Sequence, residues 1–256
     1  LLSQTSLHYF QEAYPGIDAQ LPYSMIPNGI DGASFQVKDI RFAEKMDRKL
    51  KKNGKITVLC MSRWSWGKGL EYLLDAFPLV AGRYPNVQLV IAGWRLISWE
   101  NKYWQYLWKI GSKIAALHGH IIPLGWLNDV QRNSLLPYAD IWVMPSLLEY
   151  FPYSILEPMI AGIPIISSRI DSVAEILREN EECLLYDPEN PQQLAEQIIR
   201  LIQNPDLRHH LADEACKKAK TLYSWAHISE LYLNMYHSVT RKNTVESQTG
   251  SSPENS

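Results

Sequence analysis

The sequence predicts an α/β layer sandwich, a parallel sheet with helices on both faces. Three observations predict it. From Lys55 onward short apolar runs alternate with amphipathic stretches, the order of successive βαβ units. The apolar runs are continuous rather than alternating, as in strands covered on both sides. The chain also has the material for such a core: 256 residues, 46% of them hydrophobic, enough to bury one without disulfide or metal staples. Right-handed crossovers then make the sandwich Rossmann-like.

The expected strands are Ile56–Met61, Val87–Ala92, His120–Leu124, Ile141–Met144, Ile163–Ser167 and Cys183–Tyr186. Between them the amphipathic stretches Gly69–Tyr84, Trp99–Leu117, Asn128–Tyr138, Tyr153–Gly162 and Ser172–Arg178 read as helices. Three more helices close the unit: Pro191–Gln203, Pro205–Leu222 and Ser224–Thr240. The first of them has a proline near N1 just after Asn190, a sound start signal. Ahead of the sheet, Ser3–Ala13 reads as a helix, and Pro22–Asp31 as an extended piece ending in an Asn-Gly turn. The charged stretch up to Lys55 carries Arg48, Lys49, Lys51 and Lys52. A solvated helix face is the commoner use of such a run than a nucleic-acid or lipid patch. The polar tail Lys242–Ser256 has no hydrophobic period and reads as disordered.

Composition excludes several functions. A formal net charge of −2 lacks the basic excess of a dedicated nucleic-acid binder. No apolar run approaches the roughly 18–20 residues of a membrane-spanning helix, and Leu1–Gly16 has no features of a secretion signal. Cys60, Cys183 and Cys216 are far apart and odd in number, which suits a reduced, cytoplasmic chain and not a structural zinc site.

In an open α/β sheet ligands bind at the carboxyl ends of the strands, so the loops there are the ones to read. After the first strand, Ser62 to Gly69 (SRWSWGKG) leads into a helix without matching GxxxxGK[ST] or GxGxxG. Its Arg63 and Lys68 suit a diphosphate, the first by forked hydrogen bonds and the second as a point charge beside a helix N-terminus. Two surface cations would look the same. After the fourth strand come Glu149 and Glu157, seven residues between them. One continuous helix would set them ~80° apart, but Pro152 puts the helix start near Tyr153 and leaves Glu149 on the loop. Free N–H groups at that start favour an anion. Glu157 sits among Ile155, Leu156, Met159 and Ile160, where an idle carboxylate is costly.

These segments together resemble the C-terminal, nucleotide-sugar-binding domain of the GT4 family of retaining GT-B glycosyltransferases. Ile26-Pro27-Asn28-Gly29-Ile30-Asp31 resembles the segment that leads into that domain, and Ser62-Arg63 to Lys68-Gly69 its Gly-Arg…Lys-Gly loop. Glu149 to Glu157 matches its E-x7-E motif, Ala161-Gly162-Ile163-Pro164 the end of that motif, and Ser224-Trp225 the pair before its last helix. The likeness spans about residues 20–240. It implies catalytic roles for Glu149, Arg63 and Lys68. Arg63 and Lys68 bind the donor diphosphate, Glu149 lies beside the donor sugar, and Glu157 accepts from the ribose hydroxyls. Backbone N–H groups at Phe151, Tyr153, Ser154, Ile155 and Leu156 hold sugar and phosphate oxygens. Preorganised cations are aimed where the leaving nucleotide gains charge. No Asp-x-Asp motif stands in either loop, so the expectation is no metal and no cofactor, with a UDP- or GDP-type sugar as co-substrate.

The chain departs from the family pattern at Ser62 in place of glycine, at Pro152, and at Asp171-Ser172 where a Gly-Gly pair precedes Glu175. Trp94, Trp99, Tyr103, Trp104, Tyr106 and Trp108 form an aromatic-rich segment. It fits core packing with a few exposed rings, or a docking surface for acceptor, lipid interface or partner. The resemblance implies residues 1–21 as the remnant of a preceding domain, 22–54 as a linker with a charged helix, 55–240 as the donor domain, and 241–256 as a loose tail. The expected partners are the nucleotide sugar, a saccharide or lipid-linked acceptor, and an N-terminal domain supplied by another chain. The location expected is cytoplasmic, peripheral to the inner face of the membrane. Sugar transfer is the first reading; a nucleotide-sugar-binding module inactive without its acceptor domain is the other.

Overall fold

The computed structural model describes residues 1–16, 23–50, 54–94, 100–117 and 119–249, with side chains up to residue 240. Lys51 and Lys52 of the charged run, Trp99 of the aromatic segment, and the tail from Gly250 lie outside the described residues.

The elements follow in order α1 (Gln4–Ala13), α2 (Ile40–Leu50), β1 (Ile56–Met61), α3 (Leu70–Arg83), β2 (Val87–Trp94), α4 (Asn101–Ala116), β3 (Ile121–Gly125), α5 (Asp129–Leu135), β4 (Ile141–Met144), α6 (Tyr153–Ala161), β5 (Ile165–Ser168), α7 (Asp171–Ala174), β6 (Leu184–Tyr186), α8 (Pro191–Gln203), α9 (Pro205–Leu222) and α10 (Trp225–Thr249). All six strands pair in parallel, in the order β3-β2-β1-β4-β5-β6. The local signals are physical ones. Asn128 and Gln131 cap α5 reciprocally, and Asn190 and Asn204 cap α8 and α9 ahead of their prolines.

Alternate residues of each strand feed two separate apolar layers. Val58 and Cys60 pack with Leu73, Phe77, Ile110 and Ile198 on the face covered by α3, α4 and α8. Leu59 and Trp142 pack with Met46, Leu135, Ile155 and Ala215 on the face covered by α2, α5, α6 and α9. This double burial is why the strands read as unbroken apolar runs. The charged run is resolved by α2: Met46 and Leu50 are buried while Arg48 and Lys49 face solvent. Tyr138 Oη donates to the Ala43 carbonyl at 2.9 Å, tying α2 to the turn after α5. All three cysteines are free, and burial pushes the Cys60 and Cys183 thiols up to about 12.

Several boundaries differ from the sequence-based expectation. The α5 ladder stops at Leu135 and continues as a 3-10 turn, Leu136–Tyr138, because Pro137 has no N–H for it. β5 begins at Ile165 rather than Ile163; Pro164 contributes only its carbonyl, which accepts from Trp142 N at 2.9 Å. α7 is one turn long instead of running to Arg178. Past it, Arg178 N donates to the Glu182 carboxylate at 2.8 Å and the chain reverses through Asn180 at φ 62°. α10 runs to Thr249, beyond the expected end at Thr240 and into the stretch expected to be disordered. Neither glycine nor proline interrupts residues 241–249, so the helix propagates.

Candidate functional site

The chain leaves β1 outward through β2 to β3, then returns to the other side of β1 at β4. The crevice of such a sheet opens at this reversal, between the loops that follow β1 and β4. Those loops, Ser62–Gly69 and Pro145–Pro152, touch. Leu147 N donates to the Gly67 carbonyl at 2.8 Å. A Cβ on Gly69, whose φ is 64°, would stand 1.9 Å from the Pro145 oxygen. Only glycine permits that approach and that backbone.

The contact brings one sequence-predicted cation and one sequence-predicted acid together, a pairing that their spacing did not reveal. Lys68 Nζ lies 2.5 Å from Glu149 Oε1, both side chains mostly buried. Glu157, 8% exposed, pairs instead with Arg132 of α5, whose Nη2 is 2.5 Å from Oε1. Burial pushes the Glu157 carboxyl above the usual carboxylate range, with the Arg132 charge opposing it. Arg63 is exposed, and its guanidinium makes no hydrogen bond or ion pair with any described residue. It lines a cavity of about 180 Å³ together with Glu157, Arg132, Tyr153, Ser154 and Trp126. A second cavity of about 480 Å³ shares Arg132, Tyr153 and Glu157 and extends past Gly29, Asp31 and Trp225.

The start of α6 supplies the remaining donors unequally. Tyr153 and Ser154 N–H groups stand at the open end, where the helix has no carbonyl for them, and both residues line the Arg63 cavity. Ile155 does not reach the crevice: its side chain is fully buried and its N–H donates to the Pro152 carbonyl at 3.1 Å. Phe151 is buried, edge-on to Tyr223 at 5.7 Å between centroids. Its carbonyl accepts from Asn28 Nδ2 at 3.0 Å. The Ile-Pro-Asn-Gly and Ser-Trp segments meet in the same place. Ile30 N donates to the Tyr223 carbonyl at 2.7 Å, and a Cβ on Gly29 would come within 2.8 Å of the Trp225 ring.

On the far side of Glu149, α1 is fastened to the site loops. Glu175 accepts from Gln4 N and Thr5 N, each at 2.8 Å. Ser3 Oγ donates to the Tyr150 carbonyl at 2.9 Å. The aromatic-rich segment divides: Tyr103 and Tyr106 are core, while Trp94, Trp104 and Trp108 are exposed around a separate cavity on the outside of α4. Sequence reasoning missed Arg132. Its available signal was a cation one turn into the helix that follows β3, at the ligand-binding end of the sheet.

One cavity thus gathers an exposed guanidinium that engages no described residue, the open end of α6, and the Glu157–Arg132 pair, while the Lys68–Glu149 pair joins the loops that follow β1 and β4. Known proteins carry this fold. The model of the family described as glycosyl transferases group 1 matches residues 42–218. An uncharacterized glycosyltransferase of Methanocaldococcus jannaschii is 28% identical over 215 residues, 83% of this chain and 53% of that protein. A phosphatidyl-myo-inositol mannosyltransferase of Mycobacterium tuberculosis is 30% identical over 220 residues, 84% of this chain and 53% of that one. The chain therefore spans about half the length of these curated relatives. Among solved structures, Anabaena HepE in complex with UDP-glucose superposes with a TM-score of 0.78 at 22% identity, covering 93% of this chain and 62% of that one. The C-terminal domain of a glycosyl transferase group 1 family protein from Francisella tularensis gives 0.66 at 24% identity, covering 77% of this chain and 100% of that domain. With the family model matched over most of the sheet and its helices, the chain belongs to the glycosyl transferases group 1 family.

Proposed function

We propose that the chain is the donor-binding half of a glycosyltransferase that moves a hexose from a UDP- or GDP-type sugar to an acceptor, with retention and without a metal. The observation that carries this reading is the convergence on one cavity of Arg63, the open end of α6 at Tyr153 and Ser154, and Glu157 held by Arg132. A diphosphate needs the first two, and a ribose diol needs a carboxylate acceptor.

In this reading Arg63 and the Tyr153 and Ser154 N–H groups take the phosphate oxygens. Lys68, at the base of the same loop, leans toward the diphosphate as negative charge develops on the departing nucleotide. Glu149 sits beside the anomeric carbon, where its carboxylate favours the positive charge that forms on the sugar. The ion pair with Lys68 holds that side chain in place between the two loops. Glu157 accepts from the ribose hydroxyls. Phe151 acts through its backbone, oriented by Asn28. The catalytic and binding roles of Arg63, Lys68, Glu149, Phe151, Tyr153, Ser154 and Glu157 all belong to this proposal. Ile155 contributes by anchoring α6 in the core.

The acceptor is a saccharide or a lipid-linked one. The name of the mannosyltransferase relative, which acts on phosphatidyl-myo-inositol, supports the second. A cytoplasmic setting, peripheral to the inner face of the membrane, goes with it, and no helix among the described residues is long and apolar enough to cross a membrane. Because the chain spans about half of its relatives, a second reading stands beside the first: a nucleotide-sugar-binding module that transfers nothing until an N-terminal acceptor domain completes the cleft. Calorimetric titration with UDP, GDP, UDP-glucose and GDP-mannose tests what the readings share; no binding at millimolar concentration overturns both. Donor hydrolysis by the purified chain, abolished in Glu149→Ala, selects autonomous catalysis. Binding without hydrolysis selects the module.

A further inference from the structure

Ser172 is 1% exposed, and its Oγ is buried with no hydrogen-bond partner among the described residues. Such a hydroxyl is costly to leave unpaired and calls for an explanation. Its surroundings supply one. Ser172 lines a cavity of about 220 Å³ together with Glu149, Thr5, Arg169 and Asp171. A cavity of that size has room for a polar ligand.

The cavity lies between the loops that follow the neighbouring strands β4 and β5, and it shares no lining residue with the Arg63 cavity. Three of the other polar side chains on its wall are already engaged. Arg169 holds Glu179 through two hydrogen bonds, at 2.7 and 2.8 Å. Thr5 Oγ1 donates to Glu175, and Glu149 Oε1 is taken by Lys68. The Ser172 hydroxyl is not. A hydroxyl can donate and accept at once, which matches the hydroxyl of a sugar better than a phosphate or an apolar group.

We propose that Ser172 reads a hydroxyl of the donor sugar and is a specificity-determining residue of the donor site. This rests on the donor-binding reading above, with Glu149 beside the sugar.

The test compares nucleotide with nucleotide sugar. For the intact chain and for Ser172→Ala, calorimetry gives the affinity for UDP, GDP, UDP-glucose, UDP-galactose and GDP-mannose. The expected result is unchanged affinity for free UDP or GDP. The preferred nucleotide sugar then loses about tenfold of its advantage over its own nucleotide, the scale of one hydrogen bond. Ser146→Ala is the control. Its Oγ is likewise buried and unpartnered, but Ser146 does not line the cavity, so its sugar-to-nucleotide ratio is expected to match that of the intact chain. An unchanged ratio in Ser172→Ala overturns the proposal while nucleotide binding still supports the donor site. The same ratio change in Ser146→Ala overturns it too, because general loosening then accounts for the loss. No binding of nucleotide or nucleotide sugar by the intact chain overturns the proposal and the donor-site reading together. Far-ultraviolet circular dichroism of both variants, expected to be superposable with the intact chain, keeps misfolding from imitating either result.

Discussion

Lys68 Nζ and Glu149 Oε1 stand 2.5 Å apart between the loops that follow β1 and β4, so the two side chains proposed as cation and acid of the donor site face each other. The pairing predicts opposite behaviour for their single variants. Lys68→Ala leaves Glu149, 14% exposed, without its counter-charge and removes a cation proposed for the diphosphate. Its affinity for UDP or GDP is expected to fall at least tenfold. Glu149→Ala frees Lys68 for the phosphate, so nucleotide affinity is expected to hold or rise while sugar transfer or donor hydrolysis is lost. Calorimetry beside a hydrolysis assay checks both, and weaker nucleotide binding in Glu149→Ala would contradict the arrangement.

Arg63 is exposed and its guanidinium engages no described residue, which separates binding from folding. Arg63→Ala is expected to remove a charge-assisted contact of ~1.5–3 kcal/mol, a tenfold or greater loss of diphosphate affinity. The melting temperature of the free protein should not move. A melting curve and a titration on the same sample decide it.

Arg132 and Glu157 predict a pH-dependent defect. Burial already raises the Glu157 carboxyl, and Arg132 opposes that. In Arg132→Ala the carboxyl rises further. A group whose folded value is raised favours folding at low pH, and that contribution is lost as pH rises through the folded value. Arg132→Ala should therefore be destabilised by about 1–3 kcal/mol at about pH 8, less than a fully buried pair because Arg132 is 38% exposed. The deficit should shrink as pH falls and Glu157 takes up a proton, since the neutral carboxyl no longer needs the guanidinium. Urea titrations across that pH range measure it.

Glu182 predicts the opposite slope. Burial acts to raise its carboxyl, but hydrogen bonds from Arg178 and Lys218 outweigh it and hold the group below its ordinary value of 4.5. A depressed carboxylate stabilises the fold fully above its unfolded value, and that contribution is lost as pH falls through the folded one. Glu182→Gln should cost about 1.5–3 kcal/mol at neutral pH. The difference from the intact chain should close in acid, as denaturant midpoints across that range would record.

Much of the fold was legible because its signals are short in range. β1 and β4 begin and end where their apolar runs do. α8 and α9 span the residues marked out by Pro191 and Pro205, since a capping side chain and a proline act on N–H groups within one turn. Arg63, Lys68, Glu149 and Glu157 were likewise visible, each as a charge at a strand or helix end. Boundaries failed where a side chain from farther along competed with the helix, as Glu182 does for the Arg178 N–H beyond α7.

The sequence by itself determined which segments are strands and helices, that both sheet faces are covered, and which loops carry charge. Tertiary structure alone decided that Lys68 faces Glu149, that Glu157 is held by Arg132, that Glu175 clasps α1, and that Ser172 and Glu149 line one cavity. The reason is that strand order in a parallel sheet is set by packing between elements far apart in the chain. Coulomb and hydrogen-bond partners at about 2.5–3 Å follow from that packing, not from spacing along the sequence.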